Sequence, residues 1–297
     1  MIKLIMKGGL GNQMFQYATG YSVAKHNNYK LEIDLSFLKN RIPIPGFTIR
    51  NYELDLFGIS NLTATLFSNQ FLDKYFSYPI EKIFIKTKIL RSYMGQDFYK
   101  FDKKVFDIPG NSLLEGDFNN YRYFAQYSLD IKNIFNTDKL FDNSYKDIES
   151  LINSTNSVSI NIRRGDYLNS KHKDVFVFLD ANYYKQAISK IREKVENPHF
   201  FIFSIDFPEG NYSYFINELG LKKEEITLLG KTYTGEKFKT YLRLISLCKH
   251  NIIANSTFSF WGAYLNKNIE KQVVCPTKWA YDQSDFEVPV DWIAIKN

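Results

Sequence analysis

The stretch Val158-Ser159-Ile160-Asn161-Ile162-Arg163-Arg164-Gly165-Asp166-Tyr167 decides how the rest of the chain is read. Val158, Ile160 and Ile162 alternate with Ser159 and Asn161, which is the period of a β-strand. Gly165-Asp166 closes the strand in a turn. Two adjacent arginines therefore stand where a strand gives way to a loop, the place at which open α/β sheets bind ligands. Neighbouring residues leave a strand in opposite directions. One arginine is expected on a ligand and the other bracing the loop through Asp166. A guanidinium forks onto two phosphate oxygens, so the expected ligand is a diphosphate. The plainer reading is a surface ion cluster.

Outward from this stretch, the second half alternates strand and helix. Phe200–Ser204 is a near-continuous apolar run ending at Asp206. Further strands are expected at Ile226–Leu229, Asn251–Ala254 and Val273–Cys275, with helices over 181–195, 211–219 and 236–249 and from Phe258. Asp180 suits the N-cap of the first helix. The alternation predicts a doubly wound parallel sheet. Ser256-Thr257 places two hydroxyls at a helix N-terminus, a favourable position for phosphate or simply a cap. Asp206 has the chemistry to accept two N–H bonds from a guanine edge; the alternative is an Asx turn.

The first half opens with an apolar run at 2–5, then Lys7-Gly8-Gly9-Leu10-Gly11-Asn12-Gln13, then a helical pattern through Met14, Phe15, Tyr17, Ala18, Tyr21 and Val23. Strand, glycine loop and helix let backbone N–H groups approach a phosphate or sugar, although the spacing is neither G-x-G-x-x-G nor a P-loop. A tight turn is the plainer reading. Leu31, Ile33 and Leu35 mark a second strand, and 41–60 reads as irregular. Helical stretches over 62–91, broken near Pro79, carry Lys74, Lys82, Lys86, Lys88 and Arg91. An ordinary packed helix with a solvated face is expected there, against the alternative of an anionic membrane surface. Leu113–Phe118 reads as strand and turn, 121–134 as an aromatic-rich helix, and the polar segment 136–157 as a domain boundary.

The 297 residues suit one large or two medium domains. A net charge of +6 fits an anionic substrate or acidic surface but is too mild to argue for nucleic acid. Neither Cys248 nor Cys275 lies in a C-x-x-C, so both read as reduced core thiols. No apolar run approaches the ~18 residues of a membrane span, and the N-terminal run is too short for a signal peptide, so a cytoplasmic protein is expected.

GGLGNQMFQYA at 8–18, VSINIRRGDY at 158–167, FFIFSID at 200–206 and CKHNIIANSTFSFWGAYLN at 248–266 together resemble the bacterial α-1,2-fucosyltransferases of glycosyltransferase family 11. The resemblance spans nearly the whole chain. It implies an α/β, GT-B-like fold of two Rossmann-type halves facing a cleft. Residues 1–145 would form the acceptor side with the glycine-rich loop, and 146–297 the GDP-sugar-binding half. It implies transfer of L-fucose from GDP-fucose to a glycan hydroxyl, O2 of a galactoside, with inversion and with neither metal nor cofactor. The implied partners are GDP-fucose and an oligosaccharide acceptor, free or lipid-linked, with peripheral contact at the inner membrane face. The expected donor contacts are Gly9, Gly11, Asn12, Gln13, Asn161, Arg163, Asp166, Asp206, Asn255, Ser256, Thr257 and Phe258. Arg163 and Arg164 would neutralise the diphosphate, since the sequence contains no D-x-D to hold a cation on it. Inversion calls for a base near the acceptor hydroxyl; His172 and Asp174 in the loop after the arginines are the candidates, ahead of the helix-capping Asp180.

Three positions depart from the family pattern. Asn161 stands for the His of His-x-Arg-Arg-Gly-Asp-Tyr, Ser204-Ile205-Asp206 for Ser-Asp-Asp, and Glu115-Gly116-Asp117-Phe118-Asn119 for Glu-Gly-Tyr-Phe-Gln. Asparagine keeps hydrogen-bonding capacity but does not titrate near neutral pH. Another GDP-sugar or linkage, or a nucleotide-sugar-binding protein without catalysis, are the alternatives.

Overall fold

The computed structural model describes residues 1–44, 48–63, 70–87, 91–95, 99–163, 175–205, 212–281 and 287–297. Two compact units make up the chain. Unit 1 comprises Met1–Ile134 with Glu287, which pairs with Arg122 at 2.9 Å; unit 2 is the remainder from Phe135. The polar composition of 136–157 predicts a division, placed after residue 145. The segment 135–145 instead belongs to unit 2 because Phe135 is fully buried against Trp261 and the Thr137 hydroxyl meets that of Ser246 at 2.8 Å.

Unit 1 is a four-stranded parallel sheet of order β2-β1-β4-β3: β1 Ile2–Ile5, β2 Leu31–Asp34, β3 Arg91–Met94 and β4 Ser112–Glu115. Its helices are α1 Leu10–His26, the short α2 Ser36–Lys39, α3 Gln70–Lys86 and α4 Ser128–Ile134. The aromatic-rich helix expected over 121–134 is helical only from Ser128; two 3-10 turns precede it. The helical stretches expected to break near Pro79 form a single helix that runs through it.

Unit 2 is a six-stranded parallel sheet of order β10-β9-β8-β5-β6-β7. Its strands are β5 Asn156–Asn161, β6 Pro198–Phe203, β7 Ile226–Leu229, β8 His250–Ile252, β9 Val273–Pro276 and β10 Ile293–Ile295. The helices are α5 Lys146–Ser154, α6 Ala181–Arg192, α7 Tyr212–Glu218, α8 Lys239–Leu247 and α9 Thr257–Tyr264. Asp180 caps α6 as expected, accepting from the Tyr183 amide at 3.1 Å. Both faces of this sheet are covered, which is why its strands read as apolar runs. Val158, Ile160, Phe200 and Ile202 pack against Tyr184, Ala187 and Ile188 of α6 on one face. Phe201 and Phe203 pack against Ile152 of α5 and Leu244 and Ile245 of α8 on the other. Both cysteines are buried here and unbridged.

Candidate functional site

In unit 2, β5 lies between β6 and β8 with Ile160 opposite both Ile202 and Ile252. The chain after β5 goes on to α6, on one face of the sheet. The chain after β8 goes on to α9, which packs on α8 at the other face. The strand order reverses between these two neighbours, and the crevice beyond their carboxyl ends is where a doubly wound sheet binds ligands.

β5 alternates. Ser157 and Ser159 point to the α8 side, where Ser157 Oγ accepts from the Lys249 amide at 3.0 Å and Ser159 Oγ from Asn251 Nδ2 at 2.8 Å. Asn161 follows on the same face. It is 5% exposed, and neither its Oδ1 nor its Nδ2 has a hydrogen-bond partner among the described residues. A buried polar group left so costs about 1–3 kcal/mol. The Ile162 amide still bonds Phe203 O at 3.0 Å, and Arg163 emerges half-buried at the rim.

There the Arg163 guanidinium donates to Ser256 Oγ at 3.2 Å. Ser256 is the N-cap residue of α9 with extended dihedrals, yet its hydroxyl makes no capping bond to that helix. The Ser256 hydroxyl thus faces Arg163 instead of turning back onto the helix as a capping serine ordinarily does. Thr257 and Phe258 are half-buried in this first turn. A guanidinium and a helix N-terminus gather donors at one rim, which suits an anion rich in oxygen. Asn255 sits one residue away but turns elsewhere: its Nδ2 donates to Val177 O at 2.7 Å and Trp279 O at 3.0 Å, tying two segments to the end of β8. Arg164, Asp166, His172, Asp174 and Asp206 lie outside the described residues.

Unit 1 carries its glycine loop between β1 and α1. Gly8 has φ +67°, and a Cβ there would stand 2.8 Å from Asn12 Nδ2, so this turn requires glycine. Gly9 is the N-cap residue of α1, Gly11 is buried in its first turn, and Asn12 is half-buried. Gln13 is fully buried with its amide spent on the backbone. Nε2 donates to Gly8 O at 2.8 Å and Asn51 O at 2.7 Å, and Oε1 accepts from the Glu53 amide at 2.9 Å. Gln13 therefore shapes the loop.

A charged cluster beside this loop escaped the sequence reading. Glu115 at the end of β4 binds Lys7 at 2.5 Å and Lys82 of α3 at 2.6 Å, and accepts from the Tyr78 hydroxyl at 3.3 Å. Burial pushes the Glu115 carboxyl up, but the two lysines more than offset it and hold it below the usual value. Burial raises the half-buried Asp117 carboxyl, against the pull of Lys7. The one signal in the sequence was the Glu-Gly-Asp departure from the family motif.

The glycosyl transferase family 11 profile matches residues 1–296. The chain is 32% identical to an α-1,2-colitosyltransferase of Escherichia coli, over 98% of this chain and 97% of that one. It is 28% identical to the O-antigen biosynthesis glycosyltransferase WbnK of Escherichia coli, over 97% and 98% of the two chains. Among solved structures it is similar to the fucosyltransferase NodZ of Bradyrhizobium, with TM-score 0.45, 13% identity and coverage of 88% and 90%. The chain belongs to glycosyl transferase family 11.

Proposed function

We propose that the protein transfers L-fucose from GDP-fucose to O2 of a galactoside within a glycan, with inversion. The observation that carries this reading is the rim of unit 2, where the Arg163 guanidinium meets Ser256 at the sheet's reversal, two residues beyond the buried and unsatisfied Asn161 amide on β5. In the reaction the bond from the sugar C1 to the β-phosphate oxygen breaks, and its electron pair leaves with GDP. The acceptor oxygen forms its bond to C1 from the opposite face and gives up its proton to a base, for which His172 and Asp174 are the candidates. Negative charge grows on the β-phosphate as the bond breaks. A fixed guanidinium there stabilises the transition state more than the ground state. Asn161, where the family carries histidine, supplies a hydrogen bond rather than a titrating group.

A second reading is favoured by the 32% identity to a colitosyltransferase. Colitose is L-fucose without its 3-hydroxyl, so the two donors differ at one position. A pocket that hydrogen-bonds that hydroxyl rejects the deoxy donor strongly, whereas an apolar one tolerates both. The acceptor is an oligosaccharide, free or lipid-linked. The deciding experiment incubates the protein with GDP-fucose, GDP-colitose and GDP-mannose against a galactoside panel, with products read by mass spectrometry. A fucosylated galactoside establishes the first reading and a colitosylated one the second. GDP binding with no product from any donor would refute both and leave a nucleotide-sugar-binding protein.

A further inference from the structure

Helix α3 is built inside out. At 100° per residue, Asp73, Ser77 and Glu81 fall on one stripe, and these are its buried residues. Asp73 is held by Lys39 at 3.0 Å and by the Ser77 hydroxyl at 2.6 Å. Glu81 is held by Lys3 at 3.3 Å and by the Ser36 hydroxyl at 2.8 Å. The helix is therefore fastened to its sheet by polar contacts. Its large apolar residues are left facing outward: Phe71, Leu72, Phe76 and Ile83 are 63, 39, 45 and 55% exposed. Tyr75 rests against Phe71 with ring centroids 4.8 Å apart. A surface helix ordinarily buries such residues and exposes its carboxylates.

The charges follow the same inversion. Both acidic residues of α3 point inward and are paired, while Lys74 and Lys86 are exposed. The Lys74 carbonyl accepts from the Arg41 amide at 3.0 Å, which sets the 43%-exposed Ile42 beside the helix. Around the helix Lys86 falls between Phe71 and Leu72 on the outward face, Lys74 lies at its margin next to Phe71, and the face has no acid of its own. A second copy of the chain fits it poorly: a two-fold interface sets a patch against itself, and these lysines would meet only each other.

We propose that the outward face of α3 rests on an anionic phospholipid surface. Phe71, Phe76 and Ile83 enter the boundary between headgroups and acyl chains, and Lys74 and Lys86 lie at the level of the lipid phosphates. Among the described residues no helix is long and apolar enough to cross a membrane, so the contact is peripheral. The inference deepens the lipid-linked reading of the acceptor, whose sugar would be presented at the same surface. It is tested without catalysis, so its failure leaves the donor reading untouched.

The test is flotation of the full chain with vesicles of neutral phosphatidylcholine, with and without about 30% phosphatidylglycerol, at about 0.05 and 0.5 M salt. The expected result is binding to the anionic vesicles alone and release at high salt. Lys74→Ala with Lys86→Ala weakens partitioning about twenty-five-fold, at about fivefold per lysine. Phe71→Ser with Ile83→Ser abolishes it. Both variants change exposed side chains, and a parental circular-dichroism spectrum and Tm in each report an intact fold. Three results would overturn the proposal. One is no flotation with anionic vesicles. Another is flotation indifferent to both variants. The third is a dimer in sedimentation equilibrium that Phe71→Ser with Ile83→Ser dissolves, which assigns the face to a second copy.

Discussion

Replacing Gly262 by alanine tests whether the packing of α9 on α8 sets the position of the donor rim. A Cβ at Gly262 would lie 2.3 Å from Ile245 Cγ2 and 3.0 Å from Ile245 Cβ. Both atoms belong to a β-branched side chain whose χ1 is restricted in a helix, so no tip swings aside. Ile245 is 1% exposed within the cluster of Phe201, Phe203 and Leu229, and its carbonyl anchors Asn251 Nδ2 at 2.9 Å. Overpacking of this kind costs about 1–3 kcal/mol, and the closeness of the contact argues for the upper end. Alanine returns about 1 kcal/mol of helix propensity. The net is a loss of about 2 kcal/mol, or about 4–8 °C in Tm at 2–4 °C per kcal/mol. Calorimetric GDP affinity should fall as well, because α9 carries Ser256 and Thr257 at its first turn. Ile245→Ala alone should cost about 2–5 kcal/mol through its cavity. The double variant should cost at least about 1 kcal/mol less than the sum, since the cavity accepts the new methyl. A Gly262→Ala protein as stable as the parent, or an additive double variant, would refute the reasoning.

Arg163→Ala should lower turnover by about 10²–10³, with Lys recovering only part, because the ammonium keeps the charge and loses the fork. Parental rates in both variants would remove Arg163 from the donor site. Turnover should survive excess EDTA, since the sequence offers no D-x-D; abolition by chelator with rescue by magnesium or manganese would contradict this. Burial, reinforced by Asp34, pushes the Glu81 carboxyl from its ordinary 4.5 up to about 7. The folded state then holds a proton that the unfolded state has released, so the stability from this group is present below pH 4.5 and lost as pH rises through about 7. Glu81→Gln should therefore gain Tm relative to the parent between pH 5 and pH 8, and a difference that is flat or of opposite sign counts against the assignment.

Most of unit 2 was legible because buried parallel strands advertise themselves as apolar runs. Ile226–Leu229 lies where the apolar run places it, and β5 and β6 each begin two residues earlier and end one residue sooner than their apolar runs. β3 and β10 were missed because each is a short edge strand, Arg91-Ser92-Tyr93-Met94 and Ile293-Ala294-Ile295, without a readable alternation or run. α3 defeated the reading for another reason. Its period is helical, but which stripe faces inward was settled by Lys3, Lys39 and Ser36, partners distant in sequence. At the site, the strand-end position of Arg163 and the helix-start position of Ser256 could be read locally. Their 3.2 Å contact joins residues 93 apart and needs the β5–β8 ladder between them. Asn255 and Gln13 show the converse. Amides near a ligand loop read as contacts, yet both are committed to backbone carbonyls.

The two thiols give unit 2 a built-in clock. Cys248 closes α8 and Cys275 lies inside β9, at 0 and 1% exposure. Burial pushes the Cys275 thiol up to about 12 and raises Cys248 further still. Neither presents a thiolate to a disulfide reagent while the sheet is closed. Labelling of either cysteine therefore waits for unit 2 to open, and unit 1, which has no cysteine, stays silent. Where reclosing outpaces the reagent, the labelling rate measures the opening equilibrium of that one unit. GDP occupying the rim should slow it in proportion to 1 + [GDP]/Kd. A donor affinity can thus be read from an unmodified chain with no acceptor in hand and no turnover taking place.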